Sequence, residues 1–132
     1  MSKKQPVALL TGAGRSSGAA VARQLAAAGF TLILSSRSAD PTQPDQGAYG
    51  VKKSVEDAGG RASVVRADIN KREDRQSMLD YIDQHYGRLD LLVNNSGVSP
   101  RESCDLLETS ESSLDRMLRH NLKGPFWLTQ SV

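Results

Sequence analysis

A chain of 132 residues with 38% hydrophobic content fits one globular domain, and 17 Lys and Arg against 15 Asp and Glu leave a net charge of only +2. With aromatics at 5% and the charges mixed in sign, nucleic acid is not expected as a partner. No apolar run approaches the roughly 18 residues of a membrane span, so none is expected.

The opening MSKKQP is charged and passes into only a few apolar residues before Thr11 and Gly12, so no secretory signal is read. VALL (7–10) is a short apolar run that reads as a first strand. A glycine-rich turn follows, then AAVARQLAAAGF (19–30), helical by composition, with Gly29 as its stop. TLILSS (31–36) is a second strand, and a loop holding Pro41, Pro44 and Gly47 comes after it. Tyr49 to Ala58 reads as a helix ended by Gly59 and Gly60.

ASVVRAD (62–68) is the third strand. KREDR (71–75) reads as a solvated helix face, and DRQSMLDYIDQHYG (74–87) places Met78, Leu79 and Ile82 at helical spacing. LDLLVNN (89–95) is the fourth strand. Cys104, the single cysteine, can form no internal disulfide and suits a reducing, cytoplasmic setting. The last helix is expected to start at Thr109 or Ser110 as N-cap, with Leu114, Met117, Leu118, Leu122 and Phe126 along one stripe.

Strands and helices thus alternate four times. Near-continuous apolar strands separated by helices imply an α/β fold with a parallel sheet covered on both faces, a Rossmann-type, doubly wound arrangement. Within it, LLTGAGRSSGAAVARQL (9–25) places Gly12, Gly14 and Gly18 between the first strand and the first helix. Glycine allows a tight turn and close approach of a diphosphate, and the helix N-terminus offers free N–H groups to it. Nucleotide binding is the expected role.

The end of the second strand bears on which nucleotide. A fold selecting NAD(H) places an acidic residue there for the ribose 2′-hydroxyl. Here the position holds Ser36, Arg37 follows, and Arg15 stands in the glycine turn; Asp40 is the only acid near. Two cations without a carboxylate suit a 2′-phosphate, so NADP(H) is expected over NAD(H), and no metal is expected.

Taken together, these residues resemble the short-chain dehydrogenase/reductase family, and within it the 3-ketoacyl-(acyl-carrier-protein) reductases. TGAGRSSG (11–18), with Thr11, Ser16, Ser17 and Gly18, is similar to the family's Thr-Gly-x-x-x-Gly-x-Gly turn, although Ser16 stands for its middle glycine. RADI (66–69) resembles the adenine-binding segment, with Asp68 and Ile69 at the matching positions. NNSG (94–97) resembles Asn-Asn-Ala-Gly, through Asn95, Ser96 and Gly97, with Ser96 in place of alanine. HNLKGPF (120–126) resembles the segment carrying the catalytic-site asparagine, here Asn121. Pro125, four residues on, cannot bond the Asn121 carbonyl, which is thereby freed to hold a water. The resemblance implies a helix kink there and a water leading to a catalytic lysine. It also implies a small carbonyl or alcohol substrate and a dimer or tetramer.

In the family the catalytic serine, tyrosine and lysine follow this helix, but only 11 residues follow Asn121 here and they include no tyrosine. The chain, residues 1–132, is therefore expected to be the NADP-binding part of a longer domain, inactive alone, with its last apolar stripe, Trp127 and Leu128 short of cover. The alternative is a non-catalytic NADP(H)-binding module. Tyr49 and Lys53 do spell Tyr-x-x-x-Lys, and i and i+4 share a helix face. Chain order places them on the adenosine side, so the expectation is added positive charge beside Arg37 rather than catalysis.

Overall fold

In the computed structural model, residues 4–102 and 105–132 are described; Cys104, and with it the expectation for its thiol, lies outside them. Strand β1 (Val7–Thr11) is buried along its whole length, as a strand covered on both faces must be. It pairs in parallel with β2 (Thr31–Ser36) and β4 (Leu91–Val93), and β2 pairs with β3 (Arg61–Arg66), giving the order β3-β2-β1-β4. The helices are α1 (Ser16–Ala27), α2 (Gly47–Asp57), α3 (Arg72–Tyr86), α4 (Glu111–Leu118) and α5 (Gly124–Ser131).

Side chains alternate across the sheet with a period of two, and this splits the core. Val7, Leu9 and Ile33 pack with Met78 and Ile82 of α3, whereas Ala8, Leu10, Leu32 and Leu34 pack with Ala22 of α1 and Val51 and Val55 of α2. Each fully buried Leu or Ile contributes about 1.5–3 kcal/mol relative to exposure. Both faces of the central strands are covered. No helix of the described residues is long and apolar enough to cross a membrane.

The elements depart from the sequence reading at their ends, for local reasons. Helix α1 begins three residues earlier, so Ser16, Ser17 and Gly18 form its first turn, and no residue but glycine has positive φ among the described residues. Strand β4 stops at Val93 because the N–H groups of Asn95 and Ser96 both donate to the Thr11 hydroxyl, each at 3.1 Å. Strand β3 stops at Arg66. There KREDR is not simply a solvated face: Asp74 accepts from the Asp68 N–H (2.8 Å) and Arg75 donates to the Ile69 carbonyl (2.6 Å), shaping the loop.

The final helix is three pieces. Ser110 caps α4 by accepting from the Ser113 N–H at 3.2 Å. A π turn (Arg119–Lys123) then joins α4 to α5, with Pro125 in the first turn of α5. The proline's missing N–H is thus absorbed as a widened turn. Leu128, expected to lack cover, is fully buried against the Met78 side of the core, whereas Leu118, Leu122, Phe126 and Trp127 are 42–59% exposed.

Asp90 fastens the start of the sheet. Its carboxylate accepts from the Val7 N–H (2.8 Å) and from both arms of Arg88, and its own N–H donates to the Val7 carbonyl. The Arg88 bonds, then the Val7 bond, hold this carboxyl below its ordinary pKa. A depressed folded pKa contributes stability above the unfolded value, near 3.9, that is lost as pH falls through the folded one. Urea midpoints should therefore drop more steeply below about pH 4 for the wild type than for Asp90→Ala; equal slopes would show that the clamp carries no linkage.

Candidate functional site

A cleft with a cavity volume of about 120 Å³, open at its mouth, lies where the chain leaves the C-terminal ends of β1, β2, β3 and β4. Its floor is the turn after β1. Gly12 takes φ +64°, and a Cβ there would sit 2.7 Å from the Ser96 Cα. A Cβ on Gly18 would sit 2.6 Å from the Gly12 carbonyl oxygen. The glycines therefore let α1 and the loop after β4 close onto the turn. Asn95 ties the two by donating from Nδ2 to the Gly12 carbonyl at 3.1 Å.

Thr11 is 1% exposed, and its hydroxyl takes the Asn95 and Ser96 N–H groups while facing the Val93 carbonyl at 3.4 Å. Arg15 is the N-cap of α1 and supplies no side-chain cap, which leaves first-turn N–H groups without a side-chain acceptor beside the cleft. Such a terminus attracts an anion. Ser96 adds to the fit: its Oγ is buried, lines the cleft and finds no hydrogen-bond partner among the described residues. A buried hydroxyl in that state is a site for a ligand's polar atom.

The far end is built from the loops after β2 and β3. Ser36, Arg37, Ser38, Asp68, Ile69 and Asn70 line it. The Ser36 hydroxyl faces Ser38 Oγ and accepts the Ser38 N–H, both at 3.3 Å, and Arg66 Nε donates to the Arg37 carbonyl at 3.3 Å. Burial pushes the Asp68 carboxyl up, but the Asn70 N–H and side-chain amide, with the charge of Arg37, outweigh this and hold it below its ordinary pKa. Asp40 does not face the cleft. It is engaged by the Thr42 hydroxyl (2.7 Å), the Thr42 N–H (2.9 Å) and Gln43, which with the Arg66 charge lower its pKa.

Of the residues singled out from sequence, Thr11, Gly12, Gly14, Arg15, Ser36, Arg37, Asp68, Ile69, Asn95, Ser96 and Gly97 line one cleft. Ser17 and Asn121 line the adjoining recess with Arg15, whereas Ser16 is exposed at the helix start and Gly18 is buried beneath it. Asn121's side chain is engaged with backbone: Oδ1 accepts the Val98 N–H (2.8 Å) and Nδ2 donates to the Val98 carbonyl (2.9 Å). The π turn thus grips the loop after β4.

Tyr49 and Lys53 line neither cavity, and Lys53 pairs with Asp45, which raises its pKa. The expected charge beside Arg37 is spent elsewhere. Sequence reasoning missed Asn70, Val98 and His120. All three stood at the edge of a motif: Asn70 follows RADI (66–69), Val98 follows NNSG (94–97) and His120 opens HNLKGPF (120–126).

Comparison with known proteins supplies the family. The short chain dehydrogenase family matches residues 6–132. An uncharacterised oxidoreductase of Methylorubrum extorquens is 35% identical over 96% of this chain and 48% of its own length. A hydroxynaphthalene reductase-like protein of Metarhizium anisopliae is 34% identical over 94% of this chain and 44% of its own. A 3-oxoacyl-[acyl-carrier protein] reductase from Brucella melitensis in complex with NAD superposes with TM-score 0.87 at 30% identity, covering 99% of this chain and 49% of that one. A metagenomic short-chain oxidoreductase in complex with NADP superposes with TM-score 0.82 at 30% identity, covering 95% and 53%. The chain therefore spans about half the length of the relatives it matches. Its glycine turn, its β3-β2-β1-β4 parallel sheet and a match over nearly every residue agree: the chain belongs to the short-chain dehydrogenase/reductase family.

Proposed function

We propose that this chain is the cofactor-binding half of an NADP(H)-dependent oxidoreductase that interconverts a small-molecule carbonyl and alcohol, in the manner of a 3-ketoacyl reductase. The bound dinucleotide would supply hydride chemistry at its nicotinamide. Thr11, Gly12, Gly14 and Arg15, with the start of α1, would hold the diphosphate. Asp68 and Ile69 would border the adenine, and Asn95, Ser96 and Gly97 would bound the nicotinamide end. Asn121 would act from the π turn.

The observation that carries the cofactor preference is the end of β2. Ser36, Arg37 and Ser38 line the cleft with no carboxylate on that loop facing it. A phosphate there meets a guanidinium and hydroxyls. A relative solved with NAD and another solved with NADP support a nicotinamide dinucleotide in either form. We place the protein in the cytoplasm, and the exposed stripe of Leu118, Leu122 and Phe126 suits a homo-oligomer contact.

Titration of the chain with NADPH and NADH tests this. NADPH should bind tighter by about tenfold or more, the worth of one charge-assisted hydrogen bond. Equal affinities would overturn the NADP(H) preference, and no binding of either would overturn the cofactor reading. The second reading, a non-catalytic NADP(H)-binding module, is favoured by a cleft whose lining includes no tyrosine or lysine among the described residues. Consumption of NADPH with a panel of ketones, once the chain is joined to a catalytic half, would exclude the module.

A further inference from the structure

His120 is half-buried in the π turn and lines the cleft opposite Arg37. Two partners of fixed polarity set its protonation. Its Nδ1 lies 2.9 Å from the Arg116 carbonyl oxygen, which can only accept, so Nδ1 carries a hydrogen. Its Nε2 lies 3.1 Å from Arg37 Nη1, which can only donate, so Nε2 offers a lone pair. These two contacts fit the ring as its Nδ1–H tautomer. A second proton would put an N–H against an N–H and break the contact.

Arg37 therefore reaches from the end of β2 across the cleft mouth to the helix after β4. We propose that His120 is a positioning residue that makes 2′-phosphate recognition depend on pH. As a neutral imidazole it latches Arg37 across the adenosine end; once protonated it releases Arg37 and adds its own positive charge facing the phosphate. This rests on the NADP(H) reading above. The other charged groups around it fit the device. Asp68, from the loop after β3, feels both Arg37 and His120, so it tempers the two cations when the latch opens. Arg66 stands behind Arg37 on the Arg37 carbonyl, and Arg116, Arg119 and Lys123 share the helix with His120.

The test is calorimetric titration of the full chain with NADP+ and NAD+, between about pH 5 and 8, the range in which imidazole changes charge. Wild type is compared with His120→Gln, whose amide oxygen accepts from Arg37 at every pH, and with His120→Phe, which cannot accept at all. Circular dichroism confirms that both variants are folded. The ratio of NADP+ to NAD+ affinity should rise toward acid about three- to tenfold more in the wild type than in His120→Gln, the worth of one exchanged hydrogen bond. The 2′-phosphate's own ionisation, near pH 6, acts alike in both and cancels. In His120→Phe the ratio at pH 8 should exceed that of the wild type, because the latch is gone. Parallel curves for wild type and His120→Gln, with NADP+ still preferred, would sink the role of His120 alone. NAD+ bound as tightly as NADP+ at every pH, or neither bound, would sink the NADP(H) reading with it.

Discussion

Gly18→Ala is expected to cost the chain about 2–4 kcal/mol of stability and to remove dinucleotide binding, although it adds a single methyl group. Gly18 is buried in the first turn of α1. The new Cβ would lie 2.6 Å from the Gly12 carbonyl oxygen, 3.0 Å from the Ala13 Cα and 3.1 Å from Asn95 Nδ2. The two nearest of these neighbours are backbone, so no flexible side chain can swing away from them. The relief available is to push α1 off the turn, which breaks the 3.1 Å bond from Asn95 Nδ2 to the Gly12 carbonyl. That bond joins the floor of the cleft to the loop after β4, and the helix N-terminus that would meet the diphosphate moves with it. Gly29→Ala is the control. Gly29 has φ +92° with open space around it, so alanine costs about 1 kcal/mol of backbone strain and leaves the cleft intact. Urea unfolding and NADPH titration of the two variants separate the effects. Gly18→Ala with wild-type affinity would show that the helix does not need this close approach.

That contrast also shows what was legible in advance. The strand–turn–helix context made Gly12, Gly14 and Gly18 readable, because no other residue type closes such a turn, and β2 was readable to the residue because an apolar run between turn signals has few alternatives. Strand ends were less legible. Nothing in LDLLVNN says that a threonine 84 residues away takes the Asn95 N–H and stops β4 at Val93. KREDR looked solvated by composition, yet Asp74 and Arg75 each face a backbone group of the loop after β3, a tertiary outcome without periodicity. Leu128 belonged, on paper, to an uncovered helix, and the π turn redirects it into the core. His120 is the clearest case. Its partner Arg37 is 83 residues away, and a histidine preceding Asn121 carries no local signal of a bond across the cleft.

Arg37→Asp should reverse the cofactor preference. The substitution places a carboxylate at the end of β2, where it can accept from ribose hydroxyls, and removes the guanidinium that lines the adenosine end. NADP+ loses a charge-assisted contact and meets a like charge, so its affinity should fall about 100-fold, or roughly 3 kcal/mol. NAD+ has no 2′-phosphate to repel, and its affinity should hold or improve a little, because the Arg37–His120 latch is gone as well. Arg66 is attached to the backbone of residue 37 rather than to the side chain, so it remains near and moderates the reversal. Because Arg37 is exposed, the wild-type preference should weaken as salt rises, whereas hydrogen bonds from the ribose hydroxyls of NAD+ to the introduced carboxylate should be much less affected. Calorimetric titrations of both nucleotides at low and high salt read all of this. Parallel loss of NADP+ and NAD+ would mean that residue 37 shapes the cleft without choosing its occupant.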